Sequence, residues 1–157
     1  MGTRSDFYIM DHDGSLEWIG SGGYDGSPFS IPKELLLHVN RTAFEEDIVE
    51  YLKETDGIIN EKRKRDWPWP WADSRMTDYS YIFHVCTGKV LMCRFGGRLM
   101  DPIKIIQGMD EIGADIGMGT LKFPAMNEDL IPQTEKTMDL LNEEILKRYG
   151  QKSSEVV

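Results

Sequence analysis

Tyr79-Ser80-Tyr81-Ile82-Phe83-His84-Val85-Cys86-Thr87-Gly88-Lys89-Val90-Leu91-Met92-Cys93-Arg94-Phe95 is the stretch whose reading decides the fold. Two runs rich in β-branched and aromatic residues flank Thr87-Gly88, which reads as a hairpin over about 79–95. A two-residue turn there pairs Cys86 with Lys89, His84 with Leu91 and Ile82 with Cys93. Tyr81, Phe83, Val85, Val90 and Met92 then line the opposite face. Both faces are mostly apolar. These strands therefore need cover on both sides, or cover on one and closure by a separate segment on the other.

That segment lies just upstream. Trp67-Pro68-Trp69-Pro70-Trp71 holds three of the four tryptophans. Proline fixes its own φ, donates no backbone hydrogen bond and drives the residue before it toward extended conformations. The run reads as a stiff, polyproline-like stretch rather than helix or central strand.

Farther out, Asp6 to Ile19 reads as another hairpin around Asp11-His12-Asp13-Gly14, followed by a loop through Gly20-Ser21-Gly22-Gly23 to Pro28. Ser30 is placed to cap a short helix with Leu35, Leu36 and Val39 inward. Thr42 and Glu45 read as a capping box opening a helix over about 42–56, with Phe44, Ile48, Tyr51 and Leu52 on one stripe and Gly57 as its stop. Gly108 to Pro124 is glycine-rich, a loop with a short strand at Leu121-Lys122-Phe123. A final helix over about 132–149 carries Met138, Leu141, Ile145 and Tyr149. These elements predict one α+β domain over 1–150, with an antiparallel sheet, two main helices on one face and a frayed tail at 151–157.

The 157 residues carry a net charge of −9, unevenly spread. Residues 1–57 hold 4 basic and 12 acidic side chains, residues 58–105 hold 9 and 5, and residues 106–157 hold 5 and 10. An acidic whole repels nucleic acid and favours a basic partner, although Lys62-Arg63-Lys64-Arg65 beside the tryptophans is a local exception. Direct nucleic-acid contact is disfavoured on balance. No apolar run approaches membrane-spanning length and no secretory leader is evident, so the expected setting is cytoplasmic. Cys86 and Cys93 are expected to be reduced, buried packing residues.

The candidate contact surface is Trp67, Trp69, Trp71, Asp73, Arg75 and Asp78. Exposed tryptophans and a planar guanidinium are frequent binding anchors. The competing reading lays the rings over the sheet and pairs Arg75 with Asp73 or Asp78. His84 reads as a core residue more readily than as a base. Asp11-His12-Asp13 departs from a calcium loop, with Leu16 where that loop needs glycine and Gly22 where it needs glutamate. Gly113, Gly117 and Gly119 lack the flanking strand and helix of a dinucleotide site. No catalytic signature is present, and no metal or cofactor is called for.

Asp6-Phe7-Tyr8, Glu17-Trp18-Ile19-Gly20-Ser21, Asp25-Gly26 and Trp67 through Arg75 leading into Thr77-Asp78-Tyr79 resemble small uncharacterised proteins encoded by bacteriophages and prophages. The resemblance covers the first two thirds of the chain and implies a genomic setting. It leads to the expectation of a non-catalytic acidic accessory protein that binds and inhibits a host protein, such as nucleic-acid-handling defence machinery. The alternatives are a nucleotide- or small-molecule-binding protein or small enzyme with a pocket near Arg75, His84 and Gly117, and a virion or assembly component.

Overall fold

Residues 2–61 and 67–123 are described by the computed structural model of the chain. Strands β1 (Ser5–Met10) and β2 (Leu16–Gly22) form the first hairpin. Its turn is closed by Gly14 N–H donating to the Asp11 carbonyl at 2.9 Å. Strands β4 (Tyr79–His84) and β5 (Lys89–Cys93) form the second. Here Ile82 pairs with Leu91 and His84 with Lys89, two residues from the expected register. The slip lengthens the turn to Val85–Gly88. Because side chains alternate with period 2, a shift of two keeps every face as expected: Tyr81, Phe83, Val90 and Met92 on one, Ile82, Leu91 and Cys93 on the other.

The longer turn also lifts Cys86 out of the ladder, so it is exposed rather than buried. Cys93 is buried as expected, and burial pushes its thiol up to about 12. Both cysteines are free.

The sheet is mixed rather than antiparallel. β1 lies parallel to β4 in unbroken register from Ser5↔Tyr79 to Met10↔His84. With β3 (Ile58–Ile59), β6 (Arg98–Met100) and β7 (Asp115–Thr120), the order is β3-β2-β1-β4-β5-β6-β7. A parallel neighbour requires a long crossover, usually helical, and the chain between β2 and β4 supplies one. Helix α1 (Lys33–Leu36) buries Leu35 and Leu36 but leaves Val39 exposed beyond its end, and Ser30 makes no cap. Helix α2 (Arg41–Glu54) starts before the Thr42–Glu45 pair because the Asn40 side chain accepts from Ala43 N–H at 3.1 Å. Its stripe of Phe44, Ile48 and Leu52 is buried as expected. Asp56, at φ 55°, makes the left-handed turn assigned to Gly57.

Gly20 to Gly22 belong to β2 and not to a loop. A Cβ on Gly20 would stand 2.4 Å from the Ile58 carbonyl oxygen and 2.6 Å from Leu52 Cδ1. Only glycine lets β3 and α2 approach this closely. Residues 102–106 and 111–114 form α3 and α4, capped by Asp101 and Asp110. Gly117 and Gly119 lie in β7, and Leu121 to Phe123 follow that strand rather than forming one. β7 pairs with β6 only at Arg98↔Thr120 and Met100↔Asp115, so its middle bulges outward through those two positive-φ glycines.

Two cores result. Phe7, Ile9, Tyr81, Phe83 and Met92 pack under α1 and α2 on one face. Tyr8, Trp18, Ile82, Leu91 and Cys93 pack with Trp67 on the other. The Lys62–Arg65 run, the expected helix over 132–149 and the tail at 151–157 lie outside the described residues. Among the described residues no helix is long and apolar enough to cross a membrane.

Candidate functional site

The tryptophan run closes the second face, and its three rings have different fates. Trp67 is buried, with its ring 4.9 Å from that of Trp18 at an interplanar angle of 58°. Trp69 is half-buried and donates its indole N–H to Asp6 Oδ1 at 2.8 Å. Trp71 is half-buried beside exposed Pro70. The Arg4 guanidinium sits over both Trp69 and Trp71, 5.4 and 4.9 Å from their centroids.

Asp6 is the hub under this segment. It lies on β1, fully buried, and accepts from Ser21 Oγ–H at 2.6 Å, Ser74 Oγ–H at 2.6 Å and Trp69. Ser21 in turn accepts from Trp18 Nε1–H at 3.0 Å. Since Ser74 has given its proton to Asp6, the Tyr8 hydroxyl 2.7 Å away must donate to it. Ser21, Ser74 and Trp69 thus converge directly on one carboxylate, and Trp18 and Tyr8 support the two serines from behind. Burial pushes the Asp6 carboxyl up, and the hydroxyl and indole donors offset that only in part.

The remaining candidates lie at the rim. Asp73 is buried and accepts from both Arg75 N–H and Arg75 Nε–H at 2.9 Å, capping a 3₁₀ turn at Ser74–Met76. Arg75 is exposed and pairs with Asp73, while its stem lies against Gly96. Asp78 does not join that pair. It accepts from the Arg4 backbone N–H at 2.8 Å and lies 3.6 Å from Arg4 Nε. Arg4 thus ties the N-terminal end of β1 to the tryptophan segment, a role with no signal in the sequence.

His84 sits at the opposite end of β4, roughly 17 Å along the strand from Arg75's end. It contacts Thr87 Oγ1 through Nδ1 at 2.8 Å, and burial lowers its pKa. Arg75, His84 and Gly117 therefore do not converge on one pocket. A different groove, of about 380 Å³, opens where Arg94, Arg98, Met100, Glu111, Ile112 and Asp115 meet. Arg94 pairs with Glu111 there, and Arg98 with Asp115 at 2.8 Å. Among the described residues no three His, Cys, Asp or Glu side chains form a group able to hold a metal ion.

No family model, curated protein or solved structure matches the chain.

Proposed function

We propose that the chain is a non-catalytic acidic binding protein, phage-encoded and cytoplasmic, that occupies the basic surface of a host protein such as nucleic-acid-handling defence machinery. The observation that carries this reading is the solvent face of α2. Glu46, Glu50 and Glu54 are exposed in one row, one turn apart, with Asp56 exposed just beyond. Four residues of helix rise about 6 Å, so the row is a rigid line of carboxylates of the kind a phosphate-binding groove accepts. Like charges at this spacing each cost an isolated helix about 0.2–0.5 kcal/mol. A cationic partner would relieve that repulsion.

The sheet separates this ridge from the tryptophan and Arg75 rim. The rim offers a second contact patch on the other face, made of Pro70, Trp71 and Arg75. Capture of a host protein by the immobilised chain should weaken steeply with added salt and be competed by duplex DNA. The triple variant E46K/E50K/E54K should abolish it. Salt-insensitive capture, or equal capture by the triple variant, would refute the reading.

The groove beside Arg94 and Arg98 favours a second reading, a nucleotide or small-molecule site. Among the described residues each guanidinium there hydrogen-bonds one carboxylate through Nη1, leaving donors for an anionic ligand. A bound nucleotide at 100 times its dissociation constant would add about 2.7 kcal/mol of stability. A thermal-shift screen without any hit retires this reading.

A further inference from the structure

His12 and Cys86 are 74 residues apart in sequence, in two different turns. The parallel pairing of β1 with β4 runs to Met10↔His84 and continues through Val85 N–H donating to the Met10 carbonyl at 3.0 Å. The two turns therefore leave the sheet side by side. His12 Nδ1 lies 3.2 Å from Cys86 Sγ, and both residues are exposed.

Each turn is held by its own bonds. Thr87 Oγ1 contacts His84 Nδ1, and Gly88 N–H donates to the His84 carbonyl at 2.9 Å. Across the gap, Asp13 Oδ1 accepts from Ser15 N–H at 2.9 Å and from Ser15 Oγ–H at 2.6 Å. Asp11 is engaged by Arg41. Asp11 and Asp13 each hydrogen-bond to other groups, Asp13 interacts with the His12 ring only through space, and the imidazole Nδ1 faces the thiol.

We propose that Cys86 is a thiol-modification site, with His12 as its base, that exchanges with low-molecular-weight disulfides. The thiolate is the attacking form of cysteine, and an adjacent imidazole supplies it by taking the proton. Cys86 Sγ transfers its proton to His12 Nδ1 and attacks one sulfur of the disulfide. A new S–S bond forms to Cys86 as the reagent's S–S bond breaks. The departing thiolate takes the proton from His12, so one thiol is consumed and one released, and the reagent is the oxidant. Among the described residues no carboxylate bonds the imidazole, so the pair lacks the third member of a hydrolytic triad. The step is stoichiometric modification and not turnover.

Cys93 is the internal control, because it is fully buried and its thiol is pushed up to about 12. The full chain is incubated with oxidised glutathione at about pH 7, where a free thiol is mostly protonated, and the adduct is mapped by peptide mass. The adduct should form on Cys86 alone and be absent from Cys86→Ser. His12→Ala and His12→Asn should both slow it about three- to tenfold. That ratio should fall toward one near about pH 10, where thiols ionise unaided. Equal melting temperatures for the His12 variants and the parent exclude unfolding as the cause. Equal rates at neutral pH, a ratio that persists in alkali, or an adduct on Cys93 in the folded chain would each overturn the assignment.

Discussion

The two faces of the sheet are covered by different means. On one, α2 brings a lid whose backbone hydrogen bonds are already made internally, so apolar burial of Phe44, Ile48 and Leu52 is enough to seat it. On the other, the cover is an irregular segment in which Pro68 and Pro70 have no N–H to donate. Apolar contact through Trp67 does not orient such a chain, and the polar hub at Asp6 does. A lid with secondary structure needs shape, and a lid without it needs side-chain hydrogen bonds.

Truncating each lid should break the two faces separately. Phe44→Ala and Trp67→Ala remove large buried rings and should each cost about 3–5 kcal/mol in chemical denaturation. Phe44→Ala should lower amide protection in α2, whereas Trp67→Ala should mainly change the near-ultraviolet tryptophan signal. Loss of both signals in both variants would show that the faces are not separable.

Asp6→Ala should cost about 3 kcal/mol, because Ser21, Ser74 and Trp69 would lose a shared acceptor in a buried site. Asp6→Asn keeps the shape and an acceptor, and it sharpens the comparison through pH. Asp6's folded pKa is raised above its ordinary 3.8. The folded state therefore holds the proton more tightly, and the stability this contributes is full below pH 3.8 and lost as pH rises through the raised value. Asp13 and Asp115 are lowered by their hydrogen bonds, so their effects have the opposite sign and fall below pH 3.8. Because burial also lowers the His84 pKa, stability from that residue rises with pH up to its ordinary 6.5 in both proteins, so the urea midpoints of the parent should decline with pH above 3.8 relative to those of Asp6→Asn. Equal slopes would remove Asp6 from the account. The smallest effect belongs to Arg75→Ala, an exposed pair that should cost less than about 1 kcal/mol. A larger loss in the same denaturation assay would make the rim structural.

Much of this was legible in the residues. The α+β class, both hairpins and the buried stripe of α2 follow from periods of 2 and 3.6, and the faces of the 79–95 hairpin survive an incorrect turn length because the error is even. What was not legible depends on non-local pairing. No local pattern shows that β1 lies parallel to β4, and without that pairing Cys86 reads as a buried packing residue and His12 as part of a failed calcium loop. Asp6 stands at the start of an apolar run, where it reads as a strand boundary. An acid followed by Phe7, Tyr8, Ile9 and Met10 was the available hint, since a carboxylate inside such a run must find partners. Gly20 and Gly22 read as loop residues because glycine marks loops and close approaches alike, and only the position of Leu52 and Ile58 tells them apart.

The parallel seam between β1 and β4 also sets the order of events during synthesis. The first hairpin is complete by Gly22, yet its inner strand lacks its other neighbour until His84 has been made. At about 5–20 residues per second the ribosome leaves that edge unsatisfied for several seconds. Closing so long a loop is entropically slow, so the nascent chain passes through an interval in which an interior strand of its future sheet is open to any other strand it meets.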